Sequence, residues 1–306
     1  MSEAGPGPGE EPGGEGGAGP EVRVALIQQH AGPDRARNLE RALEAMGRAA
    51  DRGADLAVFP ELAVDPFFPR HRRGEIEEPA AEPVPGPTAD RVAERAAELS
   101  LVTVFNLYEE DAEGRRFDSS PVIDADGELL GVTRMVHVTD FEGFREQDWY
   151  EPGDRGAPVY DTAVGRIGVA ICYDRHYPEY MRALGAAGAE LVAVPQAGIE
   201  GEWPEGLYEA EMRVAAFQNG YWVALCNRVG PEDGMTFAGE SFVVDPEGTV
   251  TARAEKLVDD VLVAEVDLER CGRSTARRLF WRDRRPGQYE GWFGRPGPAG
   301  EGGQQG

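Results

Sequence analysis

The sequence repeats one phrase, as GADLAVFPEL at residues 53–62 and as GAELVAVPQA at residues 188–197. Each copy follows a strand-like segment and then a helical segment, so one strand–helix–strand unit occurs twice. The first unit places Glu61 after its second strand, whereas the opening strand of the second unit, residues 166–172, runs into Cys172. Because parallel strands present ligands at their carboxyl ends, this carboxylate and this thiol are candidates for a base and a nucleophile.

Short apolar runs bounded by Gly, Pro and Asp alternate along the chain with Ala-rich amphipathic stretches, which is typical of α/β layers. The turns ADG at 125–127 and EGT at 247–249 join neighbouring strands as hairpins, so mixed sheets are expected. The predicted strands are 22–29, 54–59, 101–108, 119–124, 129–138, 166–172, 189–195, 221–227, 240–244, 249–253 and 260–266. The predicted helices are 35–52, 88–99, 178–187 and 205–219.

The 306 residues can bury one sizeable core, and residues 21–294 are interpreted as one domain. Residues 1–20 are nearly all Gly, Pro, Glu and Ala, and residues 295–306 are rich in Gly, Pro and Gln. Such segments bury too little apolar surface to offset their ordering entropy, so we expect a disordered arm and a disordered tail. Neither end holds an apolar run typical of a membrane span or a signal peptide. We therefore expect no membrane contact and a cytoplasmic location.

The formal net charge is −25, which repels phosphate backbones, so nucleic acid is not an expected partner. Arginine supplies nearly all of the positive charge, because Lys256 is the only lysine. The three cysteines, Cys172, Cys226 and Cys271, form neither an even disulfide set nor a close pair for zinc. The four histidines are scattered and no phosphate-binding motif occurs. Neither a metal nor a cofactor is expected.

Phrases spread along the chain resemble the nitrilase, or carbon-nitrogen hydrolase, superfamily. They are VALIQ at 24–28, GADLAVFPEL at 53–62, RMVHV at 134–138, EPGD at 151–154, GVAICYDRHYPE at 168–179, NGYWVALCNRVG at 219–230 and GESFVVDPEG at 239–248. The resemblance implies a four-layer αββα sandwich with two mixed β-sheets, and pairing through helices into a homodimer or a larger homo-oligomer. It also implies a Glu, Lys and Cys triad that cleaves amides, carbamoyl amides or nitriles through a thioester, without metal or organic cofactor.

Carried over position by position, Cys172 matches the family's nucleophile, Glu61 its general base, and Glu146 a second glutamate that contacts the leaving group. A thiolate attacks carbonyl carbon readily, and a carboxylate in a dry pocket has a raised pKa suited to proton transfer. Each residue also has a structural interpretation, since free cysteines are usually small buried hydrophobes and glutamates are usually solvated. Gln196, which stands in the second unit where Glu61 stands in the first, shows that the fold does not require an acid there.

The family phrase YRKxH reads TRMVH at residues 133–137, so Met135 occupies the position of the catalytic lysine. A thioether carries neither a charge nor a proton to donate, so it cannot stabilise a thiolate or an oxyanion. Loss of one such donor typically costs about 10²–10³ in turnover. Arg134 and Arg175 flank the site in sequence, but Arg134 should point to the opposite face of its strand.

Three interpretations follow from Met135. The protein is a working hydrolase in which another donor, such as Arg175 or the backbone amides after Cys172, stabilises the oxyanion. Alternatively, it is a catalytically impaired relative that binds a ligand or a partner. In the third interpretation, the methionine is a deliberate replacement of lysine. Retention of both Glu61 and Cys172 favours the hydrolase.

The phrases CYDRHYPE, GFREQDWYEPGD at 143–154 and RDRRP at 282–286 resemble the N-carbamoyl amine and N-carbamoyl β-amino acid amidohydrolases. This resemblance implies a small-molecule amide or carbamoyl substrate. Its expected contacts are Arg175, His176, Asn227 and Trp203, although each of these side chains could instead serve packing or satisfy a turn.

Overall fold

The protein is described here by a computed structural model that covers residues 21–293. The strands are β1 (Val22–Gln28), β2 (Leu56–Val58), β3 (Val102–Val104), β4 (Leu107–Glu110), β5 (Arg116–Ile123), β6 (Leu129–Arg134), β7 (Asp140–Phe141), β8 (Phe144–Arg145), β9 (Val159–Thr162), β10 (Gly165–Val169), β11 (Leu191–Gln196), β12 (Trp222–Asn227), β13 (Val229–Glu232), β14 (Met235–Ala238), β15 (Phe242–Val244), β16 (Val250–Arg253) and β17 (Asp260–Val266). The helices are α1 (Arg35–Asp51), α2 (Pro87–Leu99), α3 (Pro178–Ala187), α4 (Leu207–Asn219), α5 (Glu269–Arg273) and α6 (Pro286–Phe293).

Two mixed sheets carry the repeated unit. The first sheet has the order β17-β1-β2-β3-β5-β4, with β6 also paired to β5, and the second has the order β16-β15-β12-β11-β10-β9. In the first sheet β1, β2 and β3 are parallel, and Leu56 lies opposite Val24 and Val102. In the second sheet β10, β11 and β12 are parallel, and Leu191 lies opposite Ile167 and Trp222. The two copies of the phrase therefore occupy the same place in their sheets, as predicted.

Buried side chains form three layers of core. The central layer joins apolar residues of both sheets, for example Leu56 of β2 and Leu191 of β11. A second layer packs the other face of the first sheet against α1 and α2, and a third packs the second sheet against α3 and α4. This order of helices, sheet, sheet and helices is the αββα sandwich, and the predicted fold class is confirmed.

Helix α3 fixes the chain directly after the predicted nucleophile. Pro178 stands in its first turn, where a missing N–H costs nothing, and Gly188 ends the helix in the left-handed conformation with φ 93°. The helix buries Tyr180, Met181 and Leu184 against the second sheet. The six residues before it, 172–177, are consequently held between β10 and a packed helix.

Several strand predictions were wrong in extent, and for three of them the structure shows the reason. The predicted strand 101–108 is interrupted at residues 105–106, because Pro121 on the facing β5 has no N–H to donate. The predicted strand 129–138 ends at Arg134; the Met135 N–H still donates to Asp118 of β5, but those of Val136 and His137 donate to the Asp174 side chain. The predicted strand 166–172 ends three residues early, in a turn described below.

The remaining expectations from the sequence concern the two ends of the chain and membrane spans. The disordered arm predicted for residues 1–20 and the tail predicted for residues 295–306 lie outside the described residues. Within residues 21–293, every helix is too short or too polar to span a bilayer.

Candidate active site

Cys172 opens a 3-10 turn, Cys172–His176, that separates β10 from α3. Its backbone has φ 43°, a left-handed conformation that is strained for a residue with a side chain and that recurs at functional sites. The turn is held by Asp174, whose carboxylate accepts hydrogen bonds from the backbone of His137 at 3.0 Å and from its Nδ1 at 2.7 Å. The sulfur is thus presented at the carboxyl end of a parallel strand.

Glu61 follows β2 and is positioned through its backbone. Arg228 donates from Nη1 to the carbonyl oxygens of Glu61 at 2.8 Å and of Leu62 at 2.6 Å. Asn106 accepts a 2.6 Å hydrogen bond from the Leu62 N–H. Arg228 is thus bound to the loop that carries Glu61.

Glu146 begins a second 3-10 turn, and its carbonyl oxygen accepts the N–H groups of Trp149 and Tyr150, both at 2.8 Å. Its Oε2 accepts the Thr139 N–H at 3.2 Å. The side-chain atoms of Glu61, Glu146 and Cys172 converge, since one carboxylate oxygen of each glutamate and the sulfur all lie within 4.8 Å of one another. The structure therefore brings these three predicted residues together.

The cluster is closed off from water and lacks a counter-charge. Glu61 and Glu146 have no exposed surface and Cys172 is 6% exposed. Both carboxylate oxygens of Glu61, Oε1 of Glu146 and Oδ2 of Asp118 have no hydrogen-bond partner among residues 21–293. In the same part of the chain, no Arg, Lys or His nitrogen lies within 4.0 Å of these three carboxyl groups. Sequence reasoning missed Asp118, which carries no local motif.

Burial sets the protonation of these acids. It raises the pKa of Glu61 well above its usual range, and the negative charges of Asp118 and Glu146 raise that pKa further. Burial likewise raises the pKa of Glu146 well above its usual range. The pKa of Asp118 is raised to about 7, again chiefly by burial. Carboxyl groups with raised pKa values can accept and return a proton near neutral pH.

The thiol is affected in the same direction. Burial raises the pKa of Cys172 well above its ordinary value, the charges of Glu61 and Glu146 raise it further, and Arg175 lowers it. Without a closer cation, the resting sulfur is a thiol and needs a base to become a nucleophile.

Met135 lies directly after β6, fully buried in the apolar cluster that also contains Cys172. Its N–H donates to the Asp118 carbonyl at 2.9 Å, and its carbonyl accepts the Gly153 N–H at 2.8 Å. The neighbouring Arg134 points elsewhere, as expected, and forms a 2.6 Å ion pair with Glu109. Arg134 therefore does not supply the missing lysine charge.

Arg175 is linked to the sulfur through Gln196. Its Nε donates to Oε1 of Gln196 at 2.9 Å, and Nε2 of Gln196 lies 3.4 Å from the Cys172 sulfur. The guanidinium also pairs with Glu211 at 2.7 Å and lies 4.2 Å from the ring centroid of Tyr208. The sequence analysis used Gln196 only as the counterpart of Glu61. That equivalence in the repeat was the signal that a side chain there reaches the site.

The other predicted contacts divide into two kinds. The His176 ring pairs with Glu211 at 2.7 Å and packs edge-on against Trp203, with the ring centroids 4.9 Å apart. Asn227 bonds both backbone groups of Gly198, at 2.8 and 3.1 Å, so it satisfies a turn. Trp203 and Asn227 also line a cavity of about 640 Å³.

This cavity is acidic. Arg253 pairs with Glu209 and Lys256 with Glu200 along its wall. Three further wall carboxylates have no Arg, Lys or His nitrogen within 4.0 Å in the described part of the chain; they are Glu202, Glu205 and Glu240. After burial and the Asp118 charge, the charge of Glu202 also raises the pKa of Glu146. Glu202 of the cavity wall is thus close enough to Glu146 for their charges to interact, although Glu61, Glu146 and Cys172 do not themselves line the cavity.

Comparison with known proteins places this site in a family. The model of the family described as carbon-nitrogen hydrolase matches residues 23–276. The chain belongs to the carbon-nitrogen hydrolase family. It is 33% identical over 283 residues to the N-carbamoylputrescine amidase of Solanum lycopersicum, covering 88% of this chain and 94% of that protein.

Solved structures give the same result. A carbon-nitrogen hydrolase from Helicobacter pylori G27 superposes with a TM-score of 0.80 at 28% identity, over 90% of this chain and 99% of that one. A mutant amidase from Nesterenkonia sp. AN1 superposes with a TM-score of 0.74 at 26% identity, over 89% and 96%. In that amidase structure, the acetamide moiety of fluoroacetamide is covalently added at the active-site cysteine.

Proposed function

We propose that this carbon-nitrogen hydrolase cleaves the C–N bond of a linear amide or N-carbamoyl amine through a thioester on Cys172. The convergence of Glu61, Glu146 and the Cys172 sulfur within 4.8 Å, in a buried cluster, is the observation that carries the proposal. The covalent adduct at the active-site cysteine of the Nesterenkonia amidase supports it.

In the first half-reaction, the Cys172 sulfur bonds to the carbonyl carbon while Glu61 accepts the thiol proton. The C–N bond breaks, and the leaving nitrogen takes that proton from Glu61, with Glu146 placed to contact it. The donors for the oxyanion are Gln196 Nε2, 3.4 Å from the sulfur, and the backbone amides after Cys172. Met135 adds no donor, so we expect slow turnover.

In the second half-reaction, Glu61 takes a proton from water as the water oxygen bonds to the thioester carbon. The C–S bond breaks and the proton returns to sulfur. A carbamoyl substrate yields a carbamic acid, which loses carbon dioxide, so the final products are an amine, ammonia and carbon dioxide. No cofactor is needed for this sequence.

The substrate that fits best is an N-carbamoyl amine with a cationic tail. Glu202, Glu205 and Glu240 give the cavity an excess of negative charge, and Trp203 is an aromatic residue of its lining, of the kind that binds cations. The likeness to an N-carbamoylputrescine amidase supports this choice. A substrate with an anionic tail, such as N-carbamoyl-β-alanine, would be repelled.

The experiment is ammonia release by the purified full chain. We expect slow release from N-carbamoylputrescine, faster than from N-carbamoyl-β-alanine, and none from Cys172→Ala. Equal rates for the two substrates would contradict the cationic-tail assignment alone. Release that survives in Cys172→Ala would contradict the thioester.

A second function is favoured by Met135, which leaves buried acids without the family's cation. In this alternative the protein binds a carbamoyl amine and does not turn it over. Calorimetric binding of N-carbamoylputrescine with no ammonia released, in both this protein and Met135→Lys, would favour the binding role over hydrolysis.

We also infer that the protein is a cytoplasmic homodimer. Three free cysteines fit a reducing compartment. Val214 on α4 and Leu279 after α5 are 51% and 57% exposed, and the Phe217–Phe280 contact joins their elements at a centroid distance of 5.8 Å. An apolar patch on outer helices fits the helix-mediated pairing that the family resemblance implies.

A further inference from the structure

The buried cluster at Cys172 has the composition of a metal site. We propose that Glu61, Glu146 and Cys172 bind a divalent transition-metal ion such as Zn²⁺, and that the bound ion inhibits the enzyme. The binding stands on the cluster alone, whereas the inhibition rests on the proposed hydrolase function. The ion would supply the positive charge that the lysine provides in the family and that this chain lacks.

The geometry allows three ligands. One oxygen of each glutamate and the sulfur lie within 4.8 Å of one another. Zinc bonds to sulfur and oxygen at about 2.3 and 2.1 Å, so a tetrahedral ion separates its ligand atoms by about 3.5 Å. Side-chain rotations that move the two carboxylate oxygens by roughly 1 Å would bring the ligand atoms to these distances. Water would complete the fourth position.

The orphaned oxygens are the independent sign of a ligand. Both oxygens of Glu61 and Oε1 of Glu146 are fully buried and receive no N–H donor among residues 21–293, although buried polar groups are almost always paired. The groups that reach Glu61 are the Cys172 thiol and the Asp118 carboxyl group, which belong to the cluster itself. Asp118 adds a third buried carboxyl group beside Glu61; its Oδ1 accepts a 2.6 Å hydrogen bond from Asn106, and its Oδ2 receives no donor within residues 21–293. A cation bound here would satisfy several acceptors at once and neutralise negative charge that the fold leaves uncompensated.

The ligand set favours a transition metal over Mg²⁺ or Ca²⁺. A thiolate is a soft ligand that selects ions such as Zn²⁺, whereas Mg²⁺ and Ca²⁺ prefer oxygen and higher coordination numbers. Binding replaces the thiol proton, and any proton held by Glu61 or Glu146, with the ion and releases it to solvent. A sulfur bonded to the ion cannot attack carbonyl carbon, so hydrolysis stops.

Cobalt reports this bonding directly, because a thiolate bound to Co²⁺ gives a charge-transfer absorption band in the near ultraviolet. Titrating the full chain with Co²⁺ should produce that band, which should saturate at one equivalent. Zn²⁺ should displace the Co²⁺ and remove the band, whereas Mg²⁺ should not. Cys172→Ser should abolish the band, which excludes Cys226 and Cys271 as its source. A band that survives in Cys172→Ser, or no band at all, would overturn the proposal.

A matched pair at position 135 tests the charge argument. Met135→Lys supplies its own cation and should weaken Co²⁺ and Zn²⁺ binding at least about tenfold, since like charges repel in a site of low dielectric. Met135→Leu keeps an apolar side chain and should bind as the parent does. Equal binding by the two variants, both shown to be folded by circular dichroism, would contradict the proposal. Ammonia release in the presence of a metal chelator tests the hydrolase function separately, because the chelator removes the inhibiting ion. If no ammonia is released under those conditions, the hydrolase function is wrong and the metal-binding proposal is not affected.

Discussion

Met135 gives the site an uncharged side chain where the family resemblance implies an ammonium group. The surrounding residues have kept the acids that such a group would pair with, since Glu61, Glu146 and Asp118 are buried and partly without hydrogen bonds within residues 21–293. Burial without a nearby cation disfavours the ionised form of a carboxyl group, which explains the direction of all three pKa shifts. One residue thus changes the charge state of the whole cluster.

Met135→Lys should raise kcat/KM for ammonia release at least about tenfold, because one preorganised donor to the oxyanion is typically worth about 10²–10³ in turnover. The added charge should also favour the Cys172 thiolate. Met135→Leu, which adds no charge, is the control and should show no gain. The absence of any gain over a panel of amides, carbamoyl amines and nitriles would count against a hydrolase.

The acids also make stability depend on pH. The pKa of Asp118 is about 7 in the folded chain, whereas the ordinary value, which we assign to the unfolded chain, is 3.8. Between these two pH values the folded state holds a proton that the unfolded state releases. Its contribution to the free energy of unfolding is complete below about pH 4 and is lost as the pH rises through about 7. Glu61 and Glu146, whose pKa values are also raised, act in the same sense.

Urea denaturation of the parent and of Met135→Lys at several values between about pH 5 and 8 isolates this effect, because all other titrating groups are shared. The lysine pairs with ionised acids and gains nothing from protonated ones. The unfolding free energy of Met135→Lys relative to the parent should therefore rise with pH. A difference that does not change with pH would contradict the assigned protonation.

At the scale of elements, the repeated strand–helix–strand unit places the chemistry. It puts Glu61 after β2 and Gln196 at the end of β11, in equivalent positions of two sheets that pack face to face. The first copy supplies the carboxylate of Glu61, and the second supplies the amide of Gln196. Arg175 contacts the Cys172 sulfur only through this amide, to which its Nε donates a hydrogen bond.

Arg175→Met should raise the pKa of Cys172 further, because the guanidinium is the group that lowers it. Alkylation of the thiol by iodoacetamide at a fixed alkaline pH should become severalfold slower, and its pH profile should move upward. Arg175→Lys, which keeps the charge, should restore part of the rate. Arg48→Met removes an exposed charge from α1 and serves as the control; if it slows alkylation equally, the local role of Arg175 is wrong.

Periodicity and the repeat predicted most strands of the two sheets, the helices α1 to α4 and an α/β layering, since apolar alternation and chain order are local properties. The αββα order of the layers was implied by the family resemblance. They also predicted that Glu61 and Cys172 meet at strand ends. The left-handed backbone of Cys172 and the clamp of Arg228 on the Glu61 loop were not predictable, because the first is set by the following turn and the second joins residues 167 positions apart. The acidic cavity was missed for the same reason.

At the scale of the whole molecule, a net charge of −25 keeps copies apart at low salt, whereas the exposed Val214 and Leu279 favour association. The balance between this repulsion and this association should depend on the salt concentration, because salt ions screen the charges and shorten the range of the repulsion. Val214 lies on α4, in the helical layer that covers the second sheet, so we expect pairing through that layer.

Light scattering should give twice the chain mass of 33.2 kDa, with more dimer as NaCl is raised from about 0.05 to 0.5 M. Val214→Glu should shift the equilibrium toward monomer, because it places a charge in the apolar contact. Val258→Glu alters another exposed apolar side chain, in the loop before β17, and is the control. A monomer at all salt concentrations would exclude the dimer.

The measurement that tests the central claim most directly is intact mass spectrometry of the full chain, acid-quenched during incubation with N-carbamoylputrescine. The account predicts a mass increase equal to the substrate minus the amine or ammonia that leaves, mapped by peptide analysis to Cys172 and absent in Cys172→Ala. Ammonia release with no adduct on Cys172, or with the adduct on another residue, would contradict it.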